Sequence, residues 1–177
     1  MQDATPVAGM TFETPVDVLN YALTLEHLEY AFYRDGLEAF TAEAFTAAGY
    51  AANVYDYFGI IRDHELEHVE VLTQVITDLG GEPAAEAEYD FGYTDLAGFV
   101  AVAQVLENTG VSAYQGAAQF LIDEDELLTG ALRIHGVEAR HAAYLNGLQG
   151  ESPFPEAVNP TLIPEEVLAA AGPFIVG

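Results

Sequence analysis

Glu65-Leu66-Glu67-His68 has the same Glu-x-x-His spacing as Glu138-Ala139-Arg140-His141 later in the chain. Residues three apart on an α-helix share a face, so each segment can point a carboxylate and an imidazole at the same place. Each segment also follows a single glutamate that interrupts an apolar helical stripe, Glu26 in one case and Glu107 in the other. The pattern predicts four helices whose Glu and His side chains meet inside a bundle.

The charge of the chain limits its partners. Only 4 Lys and Arg residues stand against 29 Asp and Glu, which gives a formal net charge of -25, while 51% of the 177 residues are hydrophobic. This composition supports one hydrophobic core but repels phosphate backbones and anionic membrane surfaces, so we expect no nucleic-acid partner. Like charges destabilise a compact state unless salt screens them. We therefore interpret the chain as halophilic, with an ordinary acidic protein as the alternative.

The absence of Cys excludes disulfides, zinc-thiolate sites and iron-sulfur clusters, so any metal must be held by oxygen and imidazole ligands. No run of 18 apolar residues occurs, and we expect no membrane insertion. The first residues, Met1 to Pro6, lack the basic and apolar regions of a signal peptide. A cytoplasmic location is the default expectation, and export is the expectation if a presequence has been removed.

Helix start and stop signals divide the chain into three parts: a flexible N-terminal segment (1–13), a four-helix bundle (14–150) and a Pro-rich C-terminal strap (151–177). The first helix is predicted to begin at Thr14-Pro15 and to end near Asp35, before Gly36. The second is predicted from about Thr46 to Leu79, the third from Thr94-Asp95, and the fourth from the turn at 123–126 to Gly147 and Gly150.

Two connecting segments carry further predictions. Residues 80–94 are too long for a simple turn and predict a crossover along the bundle, with the rings of Tyr89 and Phe91 on its outside. The strap contains a short helical turn near Pro164 to Ala171. Its apolar end, Pro173-Phe174-Ile175-Val176, favours an interface that makes a homo-oligomer, or equally packing on its own bundle.

The charge of the predicted interior points to metal ions. Four carboxylates on apolar stripes would each carry several kcal/mol of uncompensated desolvation, and the four arginines are predicted to lie elsewhere. Two divalent ions would balance that charge, whereas one Glu-x-x-His segment alone would be weak evidence. The predicted ligands are Glu26, Glu65, His68, Glu107, Glu138 and His141. Carboxylates and imidazoles without thiolates favour two Fe or Mn ions, with Zn as a substitute.

Several residues near these stripes remain ambiguous. Glu29 follows Glu26 by three residues and could replace it as a ligand or hydrogen-bond to the ligands. Tyr33 and Tyr114 each follow a lone glutamate by seven residues, so we predict them as catalytic residues that bond a ligand carboxylate or donate an electron. The alternative is that both are ordinary core tyrosines. Three histidines lie off the stripes and are left out of the site, with His135 predicted to be the nearest: His27, His64 and His135.

The chain resembles the ferritin-like superfamily, and specifically ferritin-like domains of the desiccation-related protein type. The resemblance covers about residues 16–150 and is carried by Leu23 to Tyr33, Asp63 to Leu72, Tyr89 to Gly92, Gln104 to Val111 and Val137 to His141. It implies an all-α ferritin-like four-helix bundle with a long crossover between helices 2 and 3 and a C-terminal extension. It also implies that Glu65 and Glu138 bridge two ions, with Glu26 and His68 on one ion and Glu107 and His141 on the other.

The resemblance specifies a site more closely than it specifies a function, because proteins of one fold carry out several activities. The superfamily includes ferroxidases, peroxidases, manganese catalases and diiron oxygenases. We expect a dinuclear Fe or Mn oxidoreductase that acts on a small molecule, peroxide or O₂, in protection against oxidative or desiccation stress. The alternatives are a non-catalytic structural or stress-protective protein whose metals only stabilise the bundle, and a ferroxidase that stores iron.

Overall fold

A computed structural model describes residues 12–176, and its α-helices form a bundle. The six α-helices of this part of the chain are α1 (Pro15–Ala39), α2 (Ala42–Ala47), α3 (Val54–Asp78), α4 (Leu96–Ala117), α5 (Asp125–Leu148) and α6 (Pro164–Ala171). Short 3₁₀ turns follow α4 and α6, at Ala118–Leu121 and Gly172–Phe174. Residues 12–176 contain no β-strand, only an isolated bridge between Tyr89 and Ile175. The predicted all-α four-helix bundle is confirmed, with α1, α3, α4 and α5 as its long helices.

Capping residues place two of the helix starts where the sequence predicts them. The Thr14 hydroxyl accepts a hydrogen bond from the Asp17 N–H, and the Asp17 carboxylate accepts one from the Thr14 N–H at 2.8 Å. Asp95 caps α4 by accepting from the Gly98 N–H at 2.8 Å. Each bond satisfies a backbone donor that the helix itself leaves unpaired, which fixes the first turn.

Gly36 acts differently from the prediction, and Gly49 ends a short helix that the sequence did not predict. Gly36 does not end α1, which continues to Ala39; a Cβ at Gly36 would lie 2.0 Å from Phe99 Cε2, so this glycine makes room for a ring. Gly49 has a φ of 93° and ends the short helix α2 instead. The Tyr50 N–H, just past Gly49, donates a hydrogen bond to the Phe45 carbonyl, as in a Schellman motif. The second long helix therefore begins at Val54 and not near Thr46.

The crossover between α3 and α4 runs along the outside of α1. Three α1 side chains at seven-residue spacing hold it there: Asn20 donates to the Glu82 carbonyl, a ring nitrogen of His27 lies 3.1 Å from the Ala84 carbonyl oxygen, and Arg34 pairs with Glu86 at 2.9 Å. His27 therefore has a structural contact away from the predicted metal ligands.

The crossover makes α3 and α4 parallel, so their first turns lie at the same end of the bundle. Phe58 near the start of α3 and Phe99 near the start of α4 have ring centroids 5.5 Å apart. Phe91 of the crossover is buried there and packs edge-on against Phe32, at 5.1 Å. The prediction that the crossover rings stay outside is wrong for Phe91, because its ring fills the core between α1 and α4. This end of the bundle is closed by aromatic side chains.

Leu96–Leu121, which is α4 with its 3₁₀ turn, has the length and composition of a helix that could cross a membrane. In the bundle, 56% of the most apolar window of this segment is buried. Glu107 lies within the segment and is fully buried. Burial in the core accounts for the apolar composition of this segment.

The C-terminal strap packs on the bundle it belongs to. The Leu162 N–H donates to the Ser112 carbonyl at 3.3 Å, and Val167 of α6 is fully buried in the main core. Past α6, the Asp90 N–H donates to the Phe174 carbonyl, and the Val176 N–H donates to the Glu88 carbonyl. The apolar C-terminal end therefore contacts the crossover of its own chain.

We expect a methyl group at position 116 to loosen the strap. A Cβ on Gly116 would lie 1.9 Å from the Leu162 carbonyl oxygen, and this backbone atom cannot rotate away. Gly116→Ala should therefore lower the free energy of unfolding by about 1–3 kcal/mol, measured by urea denaturation. Gly59→Ala is the control, because a Cβ there meets nothing within 4 Å and alanine favours the helix. Equal stability of the two variants would contradict the close packing.

Candidate metal centre

The four long helices bring all six predicted ligands together in the interior. Each of the six has 7% or less of its surface exposed, and the four glutamates are fully buried. Their ligand atoms form two groups whose members lie within 4.8 Å of one another: Glu26, Glu65, His68 and Glu138, and Glu65, Glu107, Glu138 and His141. Both groups contain Glu65 and Glu138, the glutamates of the two Glu-x-x-His segments. Two adjacent sites with two shared carboxylates follow from this arrangement.

The two histidines face the carboxylates through the same ring atom. His68 Nδ1 lies 3.1 Å from Glu26 Oε2 and 3.0 Å from Glu65 Oε2. His141 Nδ1 lies 3.0 Å from Glu65 Oε1 and 3.2 Å from Glu107 Oε2. The two oxygens of Glu65 therefore face different histidines, which places this carboxylate between the two groups.

The buried atoms of this cluster fit metal ions. Both carboxylate oxygens of Glu138 are buried and meet no donor in hydrogen-bond geometry among the described residues. Glu65 Oε1 and Glu107 Oε2 are also buried, and their contacts with His141 Nδ1 at 3.0 and 3.2 Å do not have hydrogen-bond geometry either. A buried carboxylate is tolerated only when a cation or hydrogen-bond donors compensate its lost hydration. Oxygen and imidazole donors without thiolate suit Fe or Mn. The chemistry and the unpaired atoms thus both match a metal centre.

The protonation of the cluster shows how strongly it needs positive charge. Burial and the nearby Glu107 carboxylate raise the pKa of Glu65 to about 7, and burial raises the pKa of Glu138 well above its usual range. Burial disfavours the charged form of His141, but the carboxylates of Glu107 and Glu65 outweigh it and raise its pKa to about 10. Without metal, the raised pKa values of Glu65, Glu138 and His141 favour the protonated forms of these three residues.

Glu29 is a fifth buried carboxylate beside the cluster, and it belongs to neither group. A Cβ on Gly110 would lie 3.1 Å from Glu29 Oε1 and 3.3 Å from Glu138 Oε2, so the glycine leaves room for both acids. Burial and the Glu138 carboxylate raise the pKa of Glu29 well above its usual range. Of the two α1 glutamates, the geometry places Glu26 among the ligand atoms.

The two predicted tyrosines hydrogen-bond to the lone glutamates across the bundle. Tyr33 on α1 donates to Glu107 Oε1 on α4 at 2.6 Å, and Tyr114 on α4 donates to Glu26 Oε1 on α1 at 2.5 Å. Both tyrosines are buried. Each bond fixes the orientation of a carboxylate whose other oxygen faces a histidine, and each joins α1 to α4.

We expect loss of either tyrosine hydroxyl to weaken metal binding. Tyr114→Phe leaves Glu26 Oε1 without its donor, and Tyr33→Phe does the same to Glu107 Oε1. Removing a group that orients a ligand typically costs about 10- to 100-fold in metal affinity, measurable by competition with a chelator. Tyr144→Phe is the control, because the Tyr144 hydroxyl has no hydrogen-bond partner among residues 12–176. Unchanged affinity in both tested variants would show that the two bonds do not position the ligands.

His64 contacts the cluster, although the stripe pattern leaves it out. Its Nδ1 lies 2.9 Å from His141 Nε2, and the two rings stack with centroids 5.2 Å apart. Burial and the nearby His141 lower the pKa of His64, so the Nδ1 of its neutral ring can accept a hydrogen bond from the His141 Nε2–H. That bond leaves His141 Nδ1 free to face the carboxylates. His64, and not His135, is therefore the histidine nearest to the ligands.

Comparison with known proteins agrees with this architecture. The family model described as the ferritin-like domain matches residues 14–151, which is most of the chain. Protein rds1 of Schizosaccharomyces pombe (strain 972 / ATCC 24843) is 27% identical over 177 residues, covering 99% of this chain and 42% of rds1. The chain thus spans less than half of the length of that relative. With its bundle, crossover and buried Glu and His residues, the chain belongs to the ferritin-like domain family.

Proposed function

We propose that this protein binds two Fe or Mn ions and acts as an oxidoreductase on peroxide or O₂, in protection against oxidative or desiccation stress. The observation that carries the proposal is the pair of ligand groups that share Glu65 and Glu138. Shared carboxylates hold two ions close enough to act on one small molecule. When bound, Fe or Mn supplies the electron transfer that the side chains of this cluster cannot perform alone.

The protein residues have separate tasks in this proposal. The ions would be held by the six predicted ligands, Glu26, Glu65, His68, Glu107, Glu138 and His141. Tyr33 and Tyr114 keep the outer oxygens of Glu107 and Glu26 hydrogen-bonded, which holds both carboxylates in place. The packed rings at one end of the bundle, among them Phe58 and Phe99, exclude water and limit side reactions.

A cavity favours catalysis over a purely structural metal site. His68 and Tyr114 form part of the wall of a cavity of about 370 Å³ at the end of the bundle opposite the packed rings. A small molecule therefore has a route to one of the two ligand groups. A metal site that only stabilises the fold requires no route for small molecules, because structural metal sites have all their coordination positions filled by protein ligands.

The test combines metal analysis with turnover. The purified full chain is loaded with Mn or Fe, its metal content is measured by elemental analysis, and peroxide decomposition and O₂ consumption are followed. Chain carrying Glu65→Gln with Glu138→Gln is the control, because it keeps the shape of the cluster and removes both shared carboxylates. Turnover that requires the loaded wild-type chain supports the proposal. Full loading without turnover of peroxide, O₂ or Fe(II) would instead indicate metals that only stabilise the bundle.

Iron storage is the remaining alternative, and it makes a distinct prediction. A storage protein deposits many more iron atoms per chain than its ligands can hold and requires a large hollow assembly. Light scattering and the iron content after loading with excess Fe(II) measure both properties. About two ions per chain, as the two ligand groups allow, would exclude storage.

A further inference from the structure

The end of the bundle opposite the aromatic rings contains a cavity of about 370 Å³. Its wall comes from all four long helices and is mainly aliphatic, with Leu25, Leu72, Ala117, Leu127 and Ile134 among its residues. Small-molecule sites typically have volumes of roughly 300–1,000 Å³ and mostly apolar walls. The cavity therefore has the size and lining of a site for an apolar molecule.

The rim of this cavity holds an unusual share of the positive charge. Arg133 and Arg140 both line it, and the whole chain has only 4 Lys and Arg residues. The other two arginines pair with acids, Arg34 with Asp35 and Glu86, and Arg62 with Asp63. Among residues 12–176, Arg133 and Arg140 have no ion pair within 4 Å. Arg133 and Arg140 are both exposed residues, so their charge is accessible to a ligand.

Acidic side chains also line the cavity, so its Arg and Glu charges balance, whereas the chain as a whole is strongly acidic. Glu67 and Glu126 line the cavity along with the two arginines, so the rim carries equal numbers of each sign. The chain as a whole has a net charge of -25, which repels anions elsewhere on its surface. Arg133 and Arg140 lie seven residues apart, about two turns along α5, so both are on the same face of this helix.

We propose that this cavity binds a small amphipathic carboxylate, with its apolar chain inside and its carboxylate at Arg133 and Arg140. Guanidinium groups suit carboxylates because their N–H donors match the two oxygens. An apolar cavity of ~150 Å³ holds benzene, so about 370 Å³ accommodates a chain on the order of ten carbons. The chain would end beside His68 and Tyr114, the polar residues at the inner wall.

This inference goes beyond the proposed redox function, because binding requires only the cavity and its rim. It would supply an organic ligand beside the ligand group that contains His68. Measuring binding to metal-free and metal-loaded chain separates the two ideas. Binding without turnover would leave the cavity site intact and would contradict only the proposed activity.

Decanoate is the probe, and isothermal titration calorimetry on the full chain measures its affinity. We expect saturable binding of one decanoate per chain with a Kd on the order of 10–100 μM. 1-Decanol, which has the same chain without the charge, should bind about three- to tenfold more weakly. The double variant Arg133→Gln with Arg140→Gln should bind decanoate about three- to tenfold more weakly than the wild-type chain does. Its affinity for decanol should be unchanged. Arg62→Gln is the matched control, because Arg62 lies outside the cavity.

A second variant fills the cavity without disturbing the fold. Gly130 lines the cavity, and a Cβ there meets nothing within 4 Å, so Gly130→Leu projects a side chain into free space. It should weaken decanoate binding by about tenfold or more at an unchanged melting temperature. Gly147→Leu is the control on the same helix, because a Cβ there also meets nothing within 4 Å and Gly147 is not part of the cavity wall.

Three results would overturn the proposal. The first is no saturable decanoate binding to the full chain. The second is decanoate binding that Gly130→Leu leaves unchanged, which places the ligand elsewhere. The third is equal affinity for decanoate and decanol, which would show that the two arginines do not bind the carboxylate.

Discussion

Removing metal from the loaded protein is expected to lower its melting temperature by roughly 15–30 °C. The cluster buries Glu26, Glu65, Glu107 and Glu138 completely, and Glu29 lies beside them. An ion that binds only the folded chain contributes about 4 kcal/mol when its concentration is 1,000 times its Kd, and two ions contribute about twice that. For a chain of this size, each 1 kcal/mol shifts the melting temperature by about 2–4 °C.

The stability of the metal-free chain should fall as pH rises. Folding raises the pKa of Glu65 from its ordinary 4.5 to about 7, so the stability that its bound proton provides is lost between these values. Folding raises the pKa of His141 from 6.5 to about 10, so its contribution is complete below 6.5 and is lost through about pH 10. Both changes lower the free energy of unfolding of the metal-free chain as the pH rises.

Metal binding should have the opposite pH dependence, because the ions compete with protons for the same atoms. The difference in melting temperature between loaded and metal-free chain should therefore widen from pH 5.5 to pH 8.5. Melting curves recorded by circular dichroism at several pH values and constant high salt measure this difference in melting temperature. Mn or Fe added back should restore the melting temperature, whereas Mg, which disfavours imidazole ligands, should not. A difference that is small, or constant with pH, would contradict a metal centre at these residues.

The burial and convergence of the predicted ligands could be predicted from sequence, because their positions follow from local helix geometry. Residues three apart share a helix face, and a glutamate in an apolar stripe can lie only in the interior. This reasoning locates Glu26, Glu65, Glu107 and Glu138, all of which are fully buried. It also predicts that Tyr33 and Tyr114 lie on the faces of the lone glutamates, because seven residues make almost two whole turns, and both tyrosines do hydrogen-bond to those glutamates. Their catalytic role stays a prediction.

The features that the sequence did not reveal depend on distances between helices. His64 lies off the apolar stripe of α3, and its contact with His141 exists only because α5 approaches that flank. Gly36 and Gly49 look alike in sequence, yet one receives the ring of Phe99 and the other ends a helix at a φ of 93°. Helical periodicity predicts which residues face inward, but it does not report the volume left between them, so the cavity also required the structure.

Glu138→Gln is expected to remove both metal ions, whereas Glu26→Gln should remove only one. Glu138 belongs to both ligand groups, and Glu26 belongs to a single group. Glutamine has the shape of glutamate but carries no charge, so each variant removes one negative ligand at the same volume. Elemental analysis after dialysis should give about two ions for the wild-type chain, about one for Glu26→Gln and well under one for Glu138→Gln.

Glu138→Gln should lose its metal without unfolding, and this distinguishes a ligand from a structural residue. The pKa of Glu138 is raised well above its usual range by burial and by the Glu65 carboxylate, so its charged form destabilises the metal-free fold. At pH 8, metal-free Glu138→Gln should therefore melt above the metal-free wild-type chain, and chelators should not lower its melting temperature further. If Glu138→Gln melted lower than the wild-type chain while still holding two ions, Glu138 would contribute to the fold and not to the metal centre.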